Sequence, residues 1–425
     1  MTRRLSVAAI GVVAVGALAA AWLMASFAPG GTPAAWGQVD GPQAYISNTS
    51  SDDVWVVDLD GAAVVAVVAV GDDPRGIDIT PDNSRVYVAN RFDNTISVID
   101  TATNTAVQTI DLGASPTVTA TEPYDVVVAP DGGHLYVAMK NGGSENGDGT
   151  VVSVELPSGD ILAEEILDAN ASPEGIVVTP DGQAVYVGAR GEMYIVDVSN
   201  PASPSFTGTT GVAERELVVS PDGAWVYADD NVVRTSDDTA FTVGEFSGER
   251  GTAISPDGLT LFSTDEDSSV KVVDVTAGNP PDTAFNQDIT DGTLFESYGI
   301  DLTDEGDRGV VSFRGSDAVR IFDTATLSFI GPVIDMEFDP GTGTIFGSEP
   351  KQLVITHTIQ PEPTPTPSPS PTPTPTSTPA AGPSALPPTG SQSGPGAGAL
   401  PLALLVAGAA LALAGGTLVA ARRRR

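Results

Sequence analysis

The chain is 425 residues long and carries 55 acidic against 19 basic side chains, a formal charge of −36 at neutral pH. So acidic a surface argues against nucleic acid or anionic lipid as a partner. Cysteine is absent, which excludes disulfides, thiolate metal sites and a cysteine nucleophile, so stability has to come from packing.

At the N-terminal end, Arg3 and Arg4 precede an apolar stretch from Leu5 to Ala25, and Ala35-Trp36-Gly37 places small residues ahead of Gln38. This pattern predicts an export signal over residues 1–37, cleaved before Gln38; the length of the apolar part also suits an uncleaved membrane anchor. Between Gln38 and Thr389, thirteen basic residues face all 55 acidic ones, a formal charge of −42. The acidic residues are spread through turns and strand ends. They read as a solvated, self-repelling surface, with specific cation binding as the sharper alternative.

From Pro74 the sequence begins to repeat. PRGIDITPDNSRVYVAN returns as PYDVVVAPDGGHLYVAM from Pro123 and PEGIVVTPDGQAVYVGA from Pro173, with weaker copies from Arg215, Arg250 and Ser297. A period of about 35 to 50 residues is that of propeller blades. Each unit holds four short runs rich in Val, Ile, Tyr and Phe, separated by turn residues, which reads as a four-stranded antiparallel meander. Between the first two runs stands Pro-Asp-Gly, at Pro130, Pro180, Pro221 and Pro256. Proline presets a type I turn there and glycine supplies the left-handed residue that follows. Asn83 takes the glycine's place in the first full unit, and Gly306 survives in the sixth without its proline.

Six full units and three further runs, AYISN from Ala44, VWVVDLDG from Val54 and AVVAVVAV from Ala63, leave one strand wanting. A seventh blade therefore needs a strand from near the end of the domain, either at Val333 or at Gln352. That arrangement closes the ring and removes its free edges. The expected fold is all-β: a seven-bladed β-propeller over residues 38–360.

Residues 361–384 open on PEPTPTPSPSPTPTPTSTP, whose alternating prolines impose polyproline II and predict a stalk. Residues 385–425 hold Leu386-Pro387-Pro388-Thr389-Gly390, an apolar run from Ala399 to Ala421 and the arginines 422–425. A run of this length predicts a transmembrane helix with its basic end in the cytoplasm.

Two resemblances sharpen this reading. The phrases VYVAN from Val86, TISVIDTATNTAV from Thr95 and the recurring PDG resemble the YVTN-type β-propeller repeat of archaeal and bacterial surface proteins. The order LPPTG, apolar span, basic tail resembles the cell-wall sorting signal of Gram-positive surface proteins. That second resemblance implies sortase as a partner, with cleavage between Thr389 and Gly390 and transfer of the Thr389 carbonyl to the wall. Without it, the same segment is an ordinary membrane anchor beside a proline-rich stretch. Either way the domain is expected outside the cell.

Sites of chemistry are sparse. His134 and His357 are the two histidines, and neither has a second histidine nearby in sequence for metal ligation. No GxSxG elbow occurs. The loop expected over Asn141–Thr150 and the run Asp265-Glu266-Asp267 offer oxygen ligands of the kind calcium prefers, but in no EF-hand spacing, and a hairpin tip has the same composition. No catalytic, cofactor or metal residue is assigned. The expectation is a surface-anchored, non-enzymatic module that binds an extracellular protein or glycan at the propeller mouth. The alternative is a secreted hydrolase or lactonase-like enzyme with calcium held by carboxylates in the channel.

Overall fold

The computed structural model describes residues 41–356, apart from 116–117, 119–120, 141–147, 170, 190, 213–215, 229–230, 244–249, 266–267, 277–281, 291, 337, 340–343 and 346–348. The expected export signal, stalk and sorting segment, with Leu386, Pro387, Pro388, Thr389 and Gly390, lie outside the described residues, as does His357. Among the described residues no helix is long and apolar enough to cross a membrane.

Seven four-stranded antiparallel sheets form the blades. Blade two is β4 (Pro74–Ile79), β5 (Arg85–Asn90), β6 (Thr95–Asp100) and β7 (Thr105–Asp111), ordered from the axis outward. Blade three is β8 (Pro123–Val128), β9 (His134–Met139), β10 (Asp148–Glu155) and β11 (Ile161–Ala169). Blade four is β12 (Pro173–Val178), β13 (Ala184–Ala189), β14 (Glu192–Asp197) and β15 (Ser205–Thr209). The short blade five runs β16 (Val218–Val219), β17 (Trp225–Ala228), β18 (Asn231–Arg234) and β19 (Thr239–Thr242). Blade six is β20 (Gly251–Ile254), β21 (Thr260–Thr264), β22 (Ser269–Thr276) and β23 (Asp282–Thr290). Blade seven is β24 (Ser297–Leu302), β25 (Arg308–Phe313), β26 (Ala318–Asp323) and β27 (Ser328–Asp335).

Blade one is made from both ends of the domain. Its strands β1 (Gln43–Asn48), β2 (Asp53–Asp58) and β3 (Ala63–Ala69) receive β30 (Pro350–Ile355) as the innermost member, with Tyr45 opposite Val354. Of the two candidates for this strand, the Gln352 segment is the one used. The Val333 segment instead ends β27 on the outside of blade seven, and a small hairpin, β28 (Phe338–Asp339) with β29 (Thr344–Ile345), intervenes. The innermost strands touch in a closed circle, β30 meeting both β24 and β4.

The core is divided into layers between neighbouring blades. Tyr87, Val98 and Leu135 pack between blades two and three, whereas Ile46, Trp55 and Ile321 pack between one and seven. Second strands are buried on both faces because each is covered by a blade on either side, as in Arg85–Asn90. Outer strands such as β7 are mostly exposed, in keeping with their polar sequence.

The Pro-Asp-Gly turn also joins blades. Gly132, Gly182, Gly223, Gly258 and Gly306 have φ between +67° and +71°, and Asn83 has +58°. A Cβ on each of those glycines would face the turn proline of the preceding blade, at 3.1 Å in the case of Gly223 and Pro180. The residue before the proline completes the turn. The Thr179 hydroxyl donates to Asp181 at 2.6 Å, as Ser220 does to Asp222 and Ser255 to Asp257. These hydroxyls, with backbone N–H groups, hold the three carboxyls below the usual carboxylate range.

Candidate binding site at the channel mouth

All inner strands enter the propeller from the same face, so equivalent residues at their starts form rings around the axis. The residue six places ahead of each turn proline gives the outer ring: Arg75, Tyr124, Glu174 and Arg250, continued by Tyr298 in blade seven and Lys351 in blade one. Arg215 holds this position in the fifth repeat and lies outside the described residues. Loops between second and third strands add Arg91, Lys140 and Arg314 to the same face. The protein's three lysines, Lys140, Lys271 and Lys351, all stand on this face of a strongly acidic molecule.

Charges and rings alternate there. Tyr124 lies between Arg75, 5.3 Å from its ring centroid, and Lys140, 3.6 Å from it. Lys140 Nζ also meets Glu174 at 2.7 Å. Tyr298 is flanked in the same way by Arg250 at 5.5 Å and Lys351 at 4.5 Å. Such contacts are worth about 0.5–2 kcal/mol each and fix the rings in place. Burial, with nearby carboxylates, raises both phenols above their ordinary range, so they stand as neutral donors at neutral pH.

The rim is built from backbone in an uncommon conformation. Asp73, Glu122, Glu296 and Glu349, each immediately before an inner strand, all have positive φ. Their carbonyls turn toward the end of the second strand of the same blade: the Lys140 N–H donates to Glu122 and the Arg314 N–H to Glu296. Their carboxylates take the rim cations, as Asp73 does Arg75 at 3.0 Å, Glu122 Arg91 at 2.9 Å and Glu349 Arg314 at 3.3 Å. Left-handed backbone at residues other than glycine is costly and gathers at functional sites. Two phenylalanines, Phe92 and Phe295, stand exposed beside this rim on the blades flanking blade one.

Lys351 is the exception among these cations. It is only 5% exposed, and no carboxylate among the described residues lies within ion-pair distance of its ammonium. Burial, reinforced by the like charges of Arg314, Arg75 and Arg250, pulls it down to about 7, against the weaker pull of Glu349.

Beneath the ring lies a cavity of about 280 Å³, lined among others by Asp78, Asp125, Glu216, Arg250, Asp301 and Gln352. Carboxylates therefore do line the channel, and backbone amides engage three of them. Asp78 accepts from Val128 N–H at 2.6 Å, Asp125 from Ile176 N–H at 3.0 Å and Asp301 from Ile355 N–H at 2.8 Å. Each bond crosses from one blade to the next and satisfies an inner-strand N–H that has no strand partner on its channel side. Buried and close to Asp78, Asp125 is pushed up to about 8 despite its amide donors. Among the described residues no group of three histidine, aspartate or glutamate side chains is placed to hold a metal.

The residues considered for calcium in the sequence have other surroundings. Asp265 pairs with Lys271 at 3.2 Å and accepts from Ser269, while Glu266 and Asp267 lie outside the described residues. The loop expected over Asn141–Thr150 ends sooner, because β10 already begins at Asp148 and Thr150 pairs with Met139; residues 141–147 lie outside the described residues. His134 opens β9 on the opposite face of the propeller, its Nδ1 3.9 Å from Asp131. Sequence reasoning missed the outer ring, although aligning the repeats on their turn prolines puts its residues in one column.

Residues 181–210, which include β13, β14 and β15, match the LVIVD repeat model. No curated protein matches the chain. Among solved structures it is similar to a functionally unknown protein from Desulfotomaculum acetoxidans, with 16% identity, 74% of this chain and 99% of that one covered, and a TM-score of 0.61. It is also similar to a protein from Bacteroides uniformis provisionally assigned as a 6-phosphogluconolactonase (15% identity, 75% and 100% covered, TM-score 0.58). The hydrazine synthase of Kuenenia stuttgartiensis is a third similar structure (18% identity, 66% and 92% covered, TM-score 0.56). At these identities the likeness is one of fold, and a propeller hosts binding modules and enzymes alike.

Proposed function

We propose that this chain is a surface-anchored binding module whose propeller mouth receives an extracellular protein or glycan. The observation that carries this reading is the mouth itself: a rim of cations, tyrosines and exposed phenylalanines set over a cavity, on a molecule whose remaining surface is dominated by acid. Aromatic and basic side chains around a concavity are what recognition sites are made of. The flanking sequence supports display. An apolar N-terminal stretch exports the chain, a proline-rich stalk of residues 361–384 holds the propeller away from the membrane, and Leu386–Gly390 passes it to sortase for attachment to the wall. The membrane helix of the C-terminal segment holds the chain until that transfer.

The competing reading is a calcium-dependent hydrolase or lactonase, for which Asp78, Asp125 and Asp301 are the available channel carboxylates. Each of these already accepts at least one inter-blade N–H, and this favours binding. The test is to immobilise the full-length protein, pass wall glycans and secreted proteins over it with and without calcium, and assay the same sample on lactones and esters. Saturable binding without product is expected. Calcium-dependent hydrolysis abolished by Asp78→Asn or Asp301→Asn would replace this reading with the enzyme.

A further inference from the structure

On the face opposite the mouth, a second cavity of about 260 Å³ lies between blades two and three, lined among others by Asp82, Arg85, Tyr87, Asp131, Leu156 and Pro157. It occupies a place where other blades are joined by a hydrogen bond that this pair lacks. The third residue of the second strand is tyrosine in five blades. In two of them its hydroxyl donates to the connection between the third and fourth strands of the next blade, Tyr45 to Asn104 and Tyr186 to Asp238, the latter at 2.8 Å. Asn104 and Asp238 are the left-handed residues of those connections, with φ +50° and +55°. Blade three has Gly159 there, at φ +81°, with no side chain to offer. Tyr87 is consequently 1% exposed yet has no partner for its hydroxyl among the described residues, and it lines the cavity. Gln43, which precedes Tyr45 as Arg85 precedes Tyr87, likewise accepts from the Asn104 amide at 3.3 Å. Both positions that Asn104 engages thus border the cavity in blade two. Tyr136 and Tyr227 face other connections: that of blade four is longer, from Val198 to Pro204, and that of blade six lies partly outside the described residues.

The groups around the cavity restrict what fits. Arg85 is held at Nη1 by Asp100 at 2.6 Å and by the Ser84 carbonyl at 2.7 Å, and its Nε and Nη2 meet no acceptor among the described residues. A guanidinium edge beside a phenol suits a carboxylate, the group that Asp238 presents to Tyr186. Asp82 and Asp131 engage the turn backbone through Oδ1, accepting from the Ser84 N–H at 2.9 Å and the Gly133 N–H at 2.8 Å, and keep Oδ2 for a cation. A simple anion is repelled by a molecule of formal charge −36, whereas a zwitterion is not. Leu156 and Pro157 add an apolar wall, and the volume, just below the usual range of ligand pockets, holds one residue and not a length of chain. We propose that this cavity binds a free α-amino acid with an apolar side chain. Arg85 and Tyr87 take its carboxylate, Asp82 and Asp131 its ammonium, and the side chain rests on Leu156 and Pro157. The site is separate from the mouth and does not depend on what the mouth binds.

Calorimetric titration of the full-length protein with leucine, N-acetyl-leucine, leucinamide and glycine tests it. Leucine should bind saturably and about tenfold or more tighter than the other three, which lack the ammonium, the carboxylate and the side chain in turn. Tyr87→Phe should weaken leucine binding about tenfold or more and leave the melting temperature unchanged, since the hydroxyl it removes has no protein partner. Tyr186→Phe, which removes a hydroxyl bonded to Asp238, should melt lower and bind leucine as the wild type does. The ranking of the four ligands on the unaltered protein decides the matter even where a variant does not fold. No leucine binding, N-acetyl-leucine or leucinamide binding as tightly as leucine, glycine binding as tightly, or unchanged affinity in a folded Tyr87→Phe would each overturn the proposal. Tight N-acetyl-leucine would point instead to the carboxyl end of a peptide.

Discussion

The Asp301 carboxylate of blade seven accepts the N–H of Ile355, in the strand that completes blade one, at 2.8 Å. One side chain thereby links the last full blade to the segment that closes the ring. Asp78 makes the same bond to Val128 between blades two and three, at 2.6 Å. Asp301→Ala and Asp78→Ala leave a buried N–H without its acceptor, so each should cost about 1–3 kcal/mol of stability, read from the denaturant midpoint. Changes below about 0.5 kcal/mol in both would mean that water replaces the carboxylate without loss.

Closure by β30 makes a stronger prediction. Ending the chain before Pro350 exposes the inner edge of β1 and opens the layer that Leu353 and Ile355 share with Trp55 and Ile321. The truncated protein should aggregate or lose its cooperative melting transition, checked by size-exclusion chromatography and calorimetry. A monomeric truncation with a sharp transition would refute the clasp.

Asp125 has a pH signature. With its carboxyl raised to about 8 in the folded protein and near 4 in the unfolded chain, the native state binds more protons between those values. Its contribution to stability is therefore complete below about pH 4 and lost as pH rises through 8. Asp125→Asn, similar in shape to the neutral acid, should stay within about 1 kcal/mol of wild type near pH 4 and lose the decline in stability between pH 4 and pH 8, so that it is the more stable of the two at pH 6 and above. A wild-type profile that does not fall over this range, or falls equally in the variant, would contradict the assignment.

The turn glycines are constrained by conformation and by contact. Gly223 has φ +70° and faces Pro180 at a distance where a Cβ would sit 3.1 Å from its Cδ. Gly223→Ala should cost about 1–2 kcal/mol from the left-handed backbone alone. Asn83→Gly, at φ +58°, should be neutral or nearly so, within about 1 kcal/mol. Urea denaturation of the two variants side by side measures the difference, and equal midpoints would show that the conformation is not what selects these residues.

For attachment, wall fragments released by muralytic enzymes should carry a mature chain ending at Thr389, and Thr389→Ala should keep the protein in the membrane fraction. Mass spectrometry that finds Arg425 in the mature wild-type protein would establish a plain membrane anchor instead.

The blades were legible in the sequence because their determinants are local. A Pro-Asp-Gly turn specifies its own dihedral angles, and a short apolar run such as VYVAN pairs with its neighbour through a connection of a few residues, so Arg85–Asn90 and its equivalents could be read in order. The need for a closing strand was also legible, since blade one began without its first member. Which segment closed it was not, because Val333 and Gln352 both open strand-like runs. The choice depends on which one reaches Tyr45 after the chain has circled the axis. The mouth was decided by tertiary structure for the same reason. Arg75, Tyr124, Glu174, Tyr298 and Lys351 are separated by whole repeats and meet only because seven inner strands start on one face. No local signal marks Lys351 as buried among arginines. Its environment is a property of the closed ring, where electrostatics and burial act between residues that the sequence keeps far apart.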